Sequence, residues 1–93
     1  MQVNNKRAIK QFMEKHPLSE APLNHWVNNV EAANWTNPAD VSATFNKADC
    51  VNSKWLFNVG GNNYRLAALI WFQNKIVHVL KVMTHEEYDR EVW

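Results

Sequence analysis

A chain of 93 residues with a net charge of +1 is one small domain's worth of sequence, and a composition that is 46% apolar with five tryptophans can bury a core without covalent staples. The single cysteine, Cys50, excludes an intramolecular disulfide framework and a four-cysteine zinc site, and the four histidines show no HxH or HxxxH spacing. The longest apolar run, Leu66 to Phe72, is too short to span a membrane, and the opening MQVNNKRAIK has no apolar signal stretch. The expectation is a reduced, cytoplasmic, single-domain protein over residues 1–93, with no metal and no other cofactor.

In chain order, Met1 to Val3 reads as a short opening strand, with Asn4 or Asn5 capping the helix that follows. From Lys6, the apolar residues Ala8, Ile9, Phe12 and Met13, with His16, recur at helical spacing until Pro17 ends the run. Ser19 and Pro22 open a second helix with Leu23, Trp26, Val27 and Val30 on its buried face. Asn37-Pro38 starts a short third helix that buries Val41 and Phe45, an N-cap preceding proline in the first turn.

After Cys50 the period changes from helical to alternating. Trp55 to Val59 reads as a strand, Gly60-Gly61-Asn62-Asn63 as a turn of residues that tolerate positive φ, and Tyr64 to Phe72 as a long central strand. Along that strand Tyr64, Leu66, Ala68, Ile70 and Phe72 share one face, and Arg65, Ala67, Leu69 and Trp71 the other. Gln73-Asn74-Lys75 turns the chain into a third strand, Ile76 to Met83, and Thr84-His85-Glu86-Glu87 fits a capping box that starts a terminal helical turn carrying Tyr88. The order β-α-α-(α)-β-β-β is an α+β layer of helices on an antiparallel sheet. Trp93 either tucks against that sheet or joins an interface.

The near-neutral total conceals blocks of alternating sign. Residues 1–15 set Lys6, Arg7, Lys10 and Lys15 against Glu14, and residues 51–84 hold Lys54, Arg65, Lys75 and Lys81 with no acid at all. If the first helix and the C-terminal half share one side of the fold, Lys6, Arg7, Lys10, Lys54 and Lys75 make a basic surface for a polyanion such as RNA; otherwise they are scattered solubilising charges. Arg65 interrupts an apolar strand, so it either pairs with an acid or faces an anionic ligand, and the same holds for Lys81. His85 and Tyr88, three apart on a helical turn, share a face. An imidazole and a phenol beside two fixed cations are the parts of a metal-free RNA-cleaving site, which needs a base for the 2′-hydroxyl, a cation for the phosphorane and an acid for the leaving oxygen. The same residues also fit a capping histidine and a core tyrosine.

AIKQFMEKHP, PADV, FNVGGNNYRL and VMTHEEYD together resemble the HigB-type toxins of the RelE superfamily, from about Arg7 to Asp89. The resemblance implies a compact RelE-like fold, and a bacterial toxin that cleaves mRNA on translating ribosomes and is neutralised by a HigA-type helix-turn-helix antitoxin. Operator DNA would be reached only through the antitoxin complex, and no membrane is involved. Carried over by motif, Arg65 becomes the phosphate-stabilising candidate, His85 the general acid or base, and Tyr88 a positioning or proton-relay group; Lys81 is added to this catalytic set from its strand position and charge alone. Two positions depart from the family pattern, Asn63 where relatives often have lysine and Leu80 where they often have arginine. Their loss of charge keeps open a non-catalytic RNA- or protein-binding regulatory module on the same fold.

Overall fold

Helical periodicity in the first half of the chain and alternation in the second sort the residues into two layers, which the computed structural model describes for residues 1–90. Strand β1 (Gln2–Asn4) leads into helix α1 (Lys6–Lys15); a single 3-10 turn (Pro17–Ser19) precedes α2 (Glu20–Ala32), and α3 (Pro38–Thr44) completes the helical layer. Strands β2 (Asp49–Val51), β3 (Lys54–Val59), β4 (Tyr64–Trp71) and β5 (Ile76–Thr84) follow, and α4 (His85–Asp89) ends the described chain. The expected placement of Trp93 falls outside the described residues.

The sheet has the order β1-β5-β4-β3-β2. Strands β2 to β5 form an antiparallel meander, as the turn signals imply, but β1 lies parallel to β5, with Val3 opposite Val77. The α+β layering expected from the sequence is present, and the correction is that the sheet is mixed. A hairpin must reverse direction, whereas a strand that enters the sheet through helices is free to run either way. Strand β2 was not anticipated: its three residues are largely exposed and show no alternation, and Asn52 and Ser53, both at positive φ, turn it back against β3.

One face of the sheet carries the main core. Phe57, Leu66, Ala68, Val77 and Val79 meet Ile9 and Phe12 of α1, Leu23, Trp26 and Val30 of α2, and Val41 of α3, all buried. Trp26 sits edge-on to Phe57, their ring centres 5.3 Å apart, and Phe45 closes the same aromatic group. Asn37 caps α3 as expected, its side chain accepting from the Asp40 amide, and Pro38 stands in the first turn. Asn5 and Ser19 do not use their side chains as caps. Ser19 donates back to the His16 carbonyl, and Asn5, held at φ 66°, donates its amide to the carbonyl of Val79 at 2.7 Å.

That bond falls at a break in the sheet. Ala67 faces Lys81 but Ala68 faces Val79, so Leu80 is an extra residue in β5. Before the break Val77 and Val79 point to the helices; after it Val82 does, while Lys81 and Met83 take the opposite, open face. Beside the break β1 ends at Asn4, and the Asn5 side chain takes the next carbonyl along that edge of β5, Val79. Replacing Asn5 by Ala therefore removes this bond and strains the left-handed backbone. A loss of about 1–3 kcal/mol is expected in urea denaturation, with Asn5→Gly losing less than Asn5→Ala.

Candidate active site on the open sheet face

The open face holds the second, smaller apolar cluster, Leu56, Ala67 and Met83, and Tyr88 of α4 packs on it with Val51. The strand alternation places Arg65 in the same row as Ala67, and the register sets it opposite Asn58 and Met83. The Arg65 residue is only 8% exposed. Its Nη1 donates to the Tyr64 carbonyl at 3.0 Å and its Nη2 to Asn62 Oδ1 at 2.6 Å, and the guanidinium carbon lies 5.4 Å from the centre of the Tyr88 ring. Among the described residues no carboxylate stands within ion-pair distance of it. A buried cation compensated, among the described residues, by neutral oxygens and a π face keeps a strong attraction for an anion.

Helix α4 is brought over this face by the sequence Thr84-His85-Glu86-Glu87. Thr84 Oγ1 accepts from the Glu87 amide at 3.1 Å, Glu87 Oε1 accepts from the Thr84 amide at 2.9 Å, and the His85 amide donates to the Asn63 carbonyl at 2.9 Å. The Thr84 amide holds the Glu87 carboxyl below the usual glutamate range; the Thr84 hydroxyl and the nearby His16 and Lys81 add smaller pulls against slight burial. His85 turns Nδ1 inward, shielded from solvent and without a hydrogen bond, 3.6 Å from Asp89 Oδ1 one turn along. With Nδ1 buried and the side chain 44% exposed, Nε2 is the nitrogen open to a substrate.

Lys81 is two residues along β5 from Met83, the partner of Arg65, and so is its diagonal neighbour on the open face, at about 7–8 Å by strand geometry. It also lines a groove of about 260 Å³ along the edge of β5 that β1 leaves uncovered, with Gln11, Lys15 and His16 of α1, Leu80 and Glu87. The structure thus brings Arg65 and Tyr88 into contact, and sets His85 and Lys81 beside them along β5 and its continuation. Of the proposed RNA contacts, only Lys54 shares this face, being opposite Val51 and two residues from Leu56. Lys6, Arg7 and Lys10 line a groove of about 580 Å³ between α1 and α2 instead, where Lys6 pairs with Glu31 at 3.0 Å. Lys75, at φ 59°, donates to the Trp35 carbonyl at 2.8 Å.

Sequence reasoning passed over Asn62, which anchors the Arg65 guanidinium, and Lys15 and His16, which face Lys81 across the edge groove. The turn motif containing Asn62 was visible, but its side-chain partner was not. His16 was read as part of the buried stripe, and it does stack on Phe12, with ring centres 4.4 Å apart. Among the described residues no three His, Cys, Asp or Glu side chains converge on a point where one metal ion would bind, and no helix is long and apolar enough to cross a membrane.

A strand-borne buried arginine, roofed by a capped terminal helix that carries a histidine and a tyrosine, is the outline of an anion site with proton-transfer groups at its rim. A family model described as "HigB_toxin, RelE-like toxic component of a toxin-antitoxin system" matches residues 19–91, and the chain belongs to this family. Membership implies an antitoxin partner. The chain is 30% identical over 92 residues to the mRNA interferase toxin HigB of Escherichia coli (strain K12), a match spanning 96% of this chain and 88% of that protein. The mRNA interferase HigB of Shigella flexneri matches to the same extent, and that of Escherichia coli O6:H1 is 28% identical over 93 residues, 97% of this chain and 90% of the relative.

The docking of α4 carries its own pH dependence. Because the folded-state pKa of Glu87 is depressed, its contribution is present at neutral pH and is lost as pH falls through the carboxylate range. Chemical denaturation at a series of acidic pH values is expected to show this decline, and Glu87→Gln, which keeps an acceptor for the Thr84 amide but cannot titrate, is expected to flatten it.

Proposed function

We propose that this chain is an endoribonuclease that cuts mRNA on the translating ribosome by metal-free transesterification, and that a HigA-type antitoxin silences it. The observation that carries the reading is the guanidinium of Arg65, buried under Tyr88 and held among the described residues by neutral oxygens, on a chain 30% identical to named mRNA interferases. In the reaction a base takes the proton of a 2′-hydroxyl, the 2′-oxygen bonds to the adjacent phosphorus, and the P–O5′ bond breaks. A proton delivered to the 5′-oxygen leaves a cyclic phosphate and a 5′-hydroxyl end. Arg65 stabilises the charge on the non-bridging oxygens, where a fixed cation in a site shielded from water acts most strongly.

Lys81 supplies a second positive charge from its diagonal position, and the bulge that exposes both Leu80 and Lys81 explains how the charge missing at Leu80 is made up next door. His85 exchanges a proton through Nε2, oriented by Asp89 behind it, and Tyr88 holds Arg65 in place while presenting its hydroxyl as a positioning or relay group. Asn63, the other departure from the family pattern, serves α4 through its carbonyl, a role independent of its side chain. Lys54 meets the RNA backbone on the open face, and Lys6, Arg7 and Lys10 add attraction toward ribosomal RNA from the helical side; Lys75 contributes charge from its tether on Trp35. Operator DNA is met only through the antitoxin complex, and the site of action is the bacterial cytoplasm.

Induced expression with and without the neighbouring gene, reading growth and transcript ends together, tests the proposal. Growth arrest with new ends inside translated regions, both reversed by the neighbour, is the expected result; no arrest from confirmed folded protein leaves the non-catalytic module in its place. Arg65→Ala is expected to slow cleavage about 100- to 1,000-fold and His85→Ala about 100- to 10,000-fold, with antitoxin binding intact. Arg65→Lys is expected to recover little, because a point charge does not reproduce the two-pronged contact to Tyr64 O and Asn62.

A further inference from the structure

The open face does not end at the roof of α4. Farther along β4 the same row of side chains continues through Leu69 to Trp71, and β5 contributes Ile76 and His78, which the register sets opposite Trp71 and Leu69. Leu69, Ile76 and His78 are half-buried, and Trp71 is 45% exposed. Its ring centre lies 5.9 Å from that of His78, the planes tilted by 45°, so the two rings form one aromatic surface with the indole outermost. Among the described residues the large apolar side chains exposed with this indole are Leu18 and Leu80.

We propose that Trp71, backed by His78, is a stacking subsite for a base of single-stranded RNA. The inference rests on the RNA-cleaving reading above and extends it to how the strand is held away from the reacting phosphate. Three observations favour RNA as the occupant. The whole segment from Val51 to Thr84, which builds β3, β4, β5 and their turns, contains four cations and no acid, so nothing on these strands repels a polyanion. The aromatic surface lies on the same sheet face as Arg65, about 20 Å along β4, so one extended strand reaches both. Stacking on an aromatic face is available to every base, so such a subsite holds the strand without selecting its sequence. His78 packs against the Trp71 ring and offers a ring N–H at the edge of the stacked base.

The test is the fluorescence anisotropy of a short fluorescein-labelled oligoadenylate titrated with the full chain at several salt concentrations, with circular dichroism confirming the fold of each variant. Trp71→Ala is expected to weaken binding about 5- to 150-fold, and Trp71→Phe to recover most of that loss. The salt slope of Trp71→Ala stays at the wild-type value, because no phosphate contact is lost; a variant that gives up a phosphate contact flattens the slope by about 0.7 per contact. Unchanged affinity in folded Trp71→Ala overturns the subsite, as does the absence of saturable binding by the wild-type chain. Retained RNA affinity with loss of antitoxin binding makes the patch a protein contact and overturns it equally. The two readings fail separately: a Trp71→Ala chain that binds RNA and arrests growth like wild type leaves cleavage standing without the subsite, whereas a wild-type chain that binds RNA through Trp71 but cuts no transcript leaves the subsite without the cleavage.

Discussion

One additional residue in β5 decides what this protein presents to the outside. Were the strand regular, the alternation that buries Val77 and Val79 would drive Lys81 and Met83 beneath α1, an arrangement that would strand an ammonium group in the core. The insertion of Leu80 inverts the phase, so Val82 takes the helical side while Lys81 and Met83 turn to the open face. Met83 then becomes the floor on which Tyr88 sits, and the chain leaves β5 at Thr84 on a course that brings α4 over Arg65. The bond from Asn5 to Val79 locks the break from the other side, tying the start of α1 to the strand whose phase it depends on.

The open face is consequently divided between order and exposure. At one end α4 covers Arg65, and the cost of burying a guanidinium is offset by two hydrogen bonds to oxygen and by the Tyr88 ring. At the other end nothing from the described chain lies over Trp71. The acids of the protein respect the same division. Glu86, Glu87 and Asp89 sit on α4 at the rim, where Glu87 is committed to its capping bonds and Glu86 to Arg90; β3, β4 and β5 carry cations alone, and exposed Asp49 of β2 stands opposite Leu56 at the far edge of the face.

Local chemistry made much of this legible in the sequence. The capping box at Thr84, the Asn37-Pro38 helix start and the Gly60–Asn63 turn are each set by neighbouring residues, and each stands where it was expected. That Arg65 interrupts an apolar strand, and that His85 and Tyr88 share one helical turn, was legible too; their meeting depends on the phase of β5. What escaped depends on partners distant in the chain. The phase of β5 cannot be read from Val79-Leu80-Lys81-Val82, where polar and apolar residues fit either register, and Asn5 looks like a cap until its partner 74 residues away is known. The direction of Lys6, Arg7 and Lys10 is fixed by the packing of α2 against α1, and Lys75 is claimed by a carbonyl 40 residues earlier.

The two outermost strands, β1 and β2, are each three residues long. A sheet invites other chains to add to it through long runs of unpaired backbone, and the two borders differ here: β2 is the short arm of a tight hairpin, whereas β1 pairs only Ile76 to His78 and β5 runs on past it to Thr84. Growth of the sheet by main-chain pairing is thus discouraged at the β2 border, and at the other it is confined to the stretch of β5 beyond β1, where the Asn5 side chain already occupies the Val79 carbonyl. Because that stretch lies beside the groove lined by Lys15, His16 and Lys81, whatever approaches it meets charge and shape along with the strand edge.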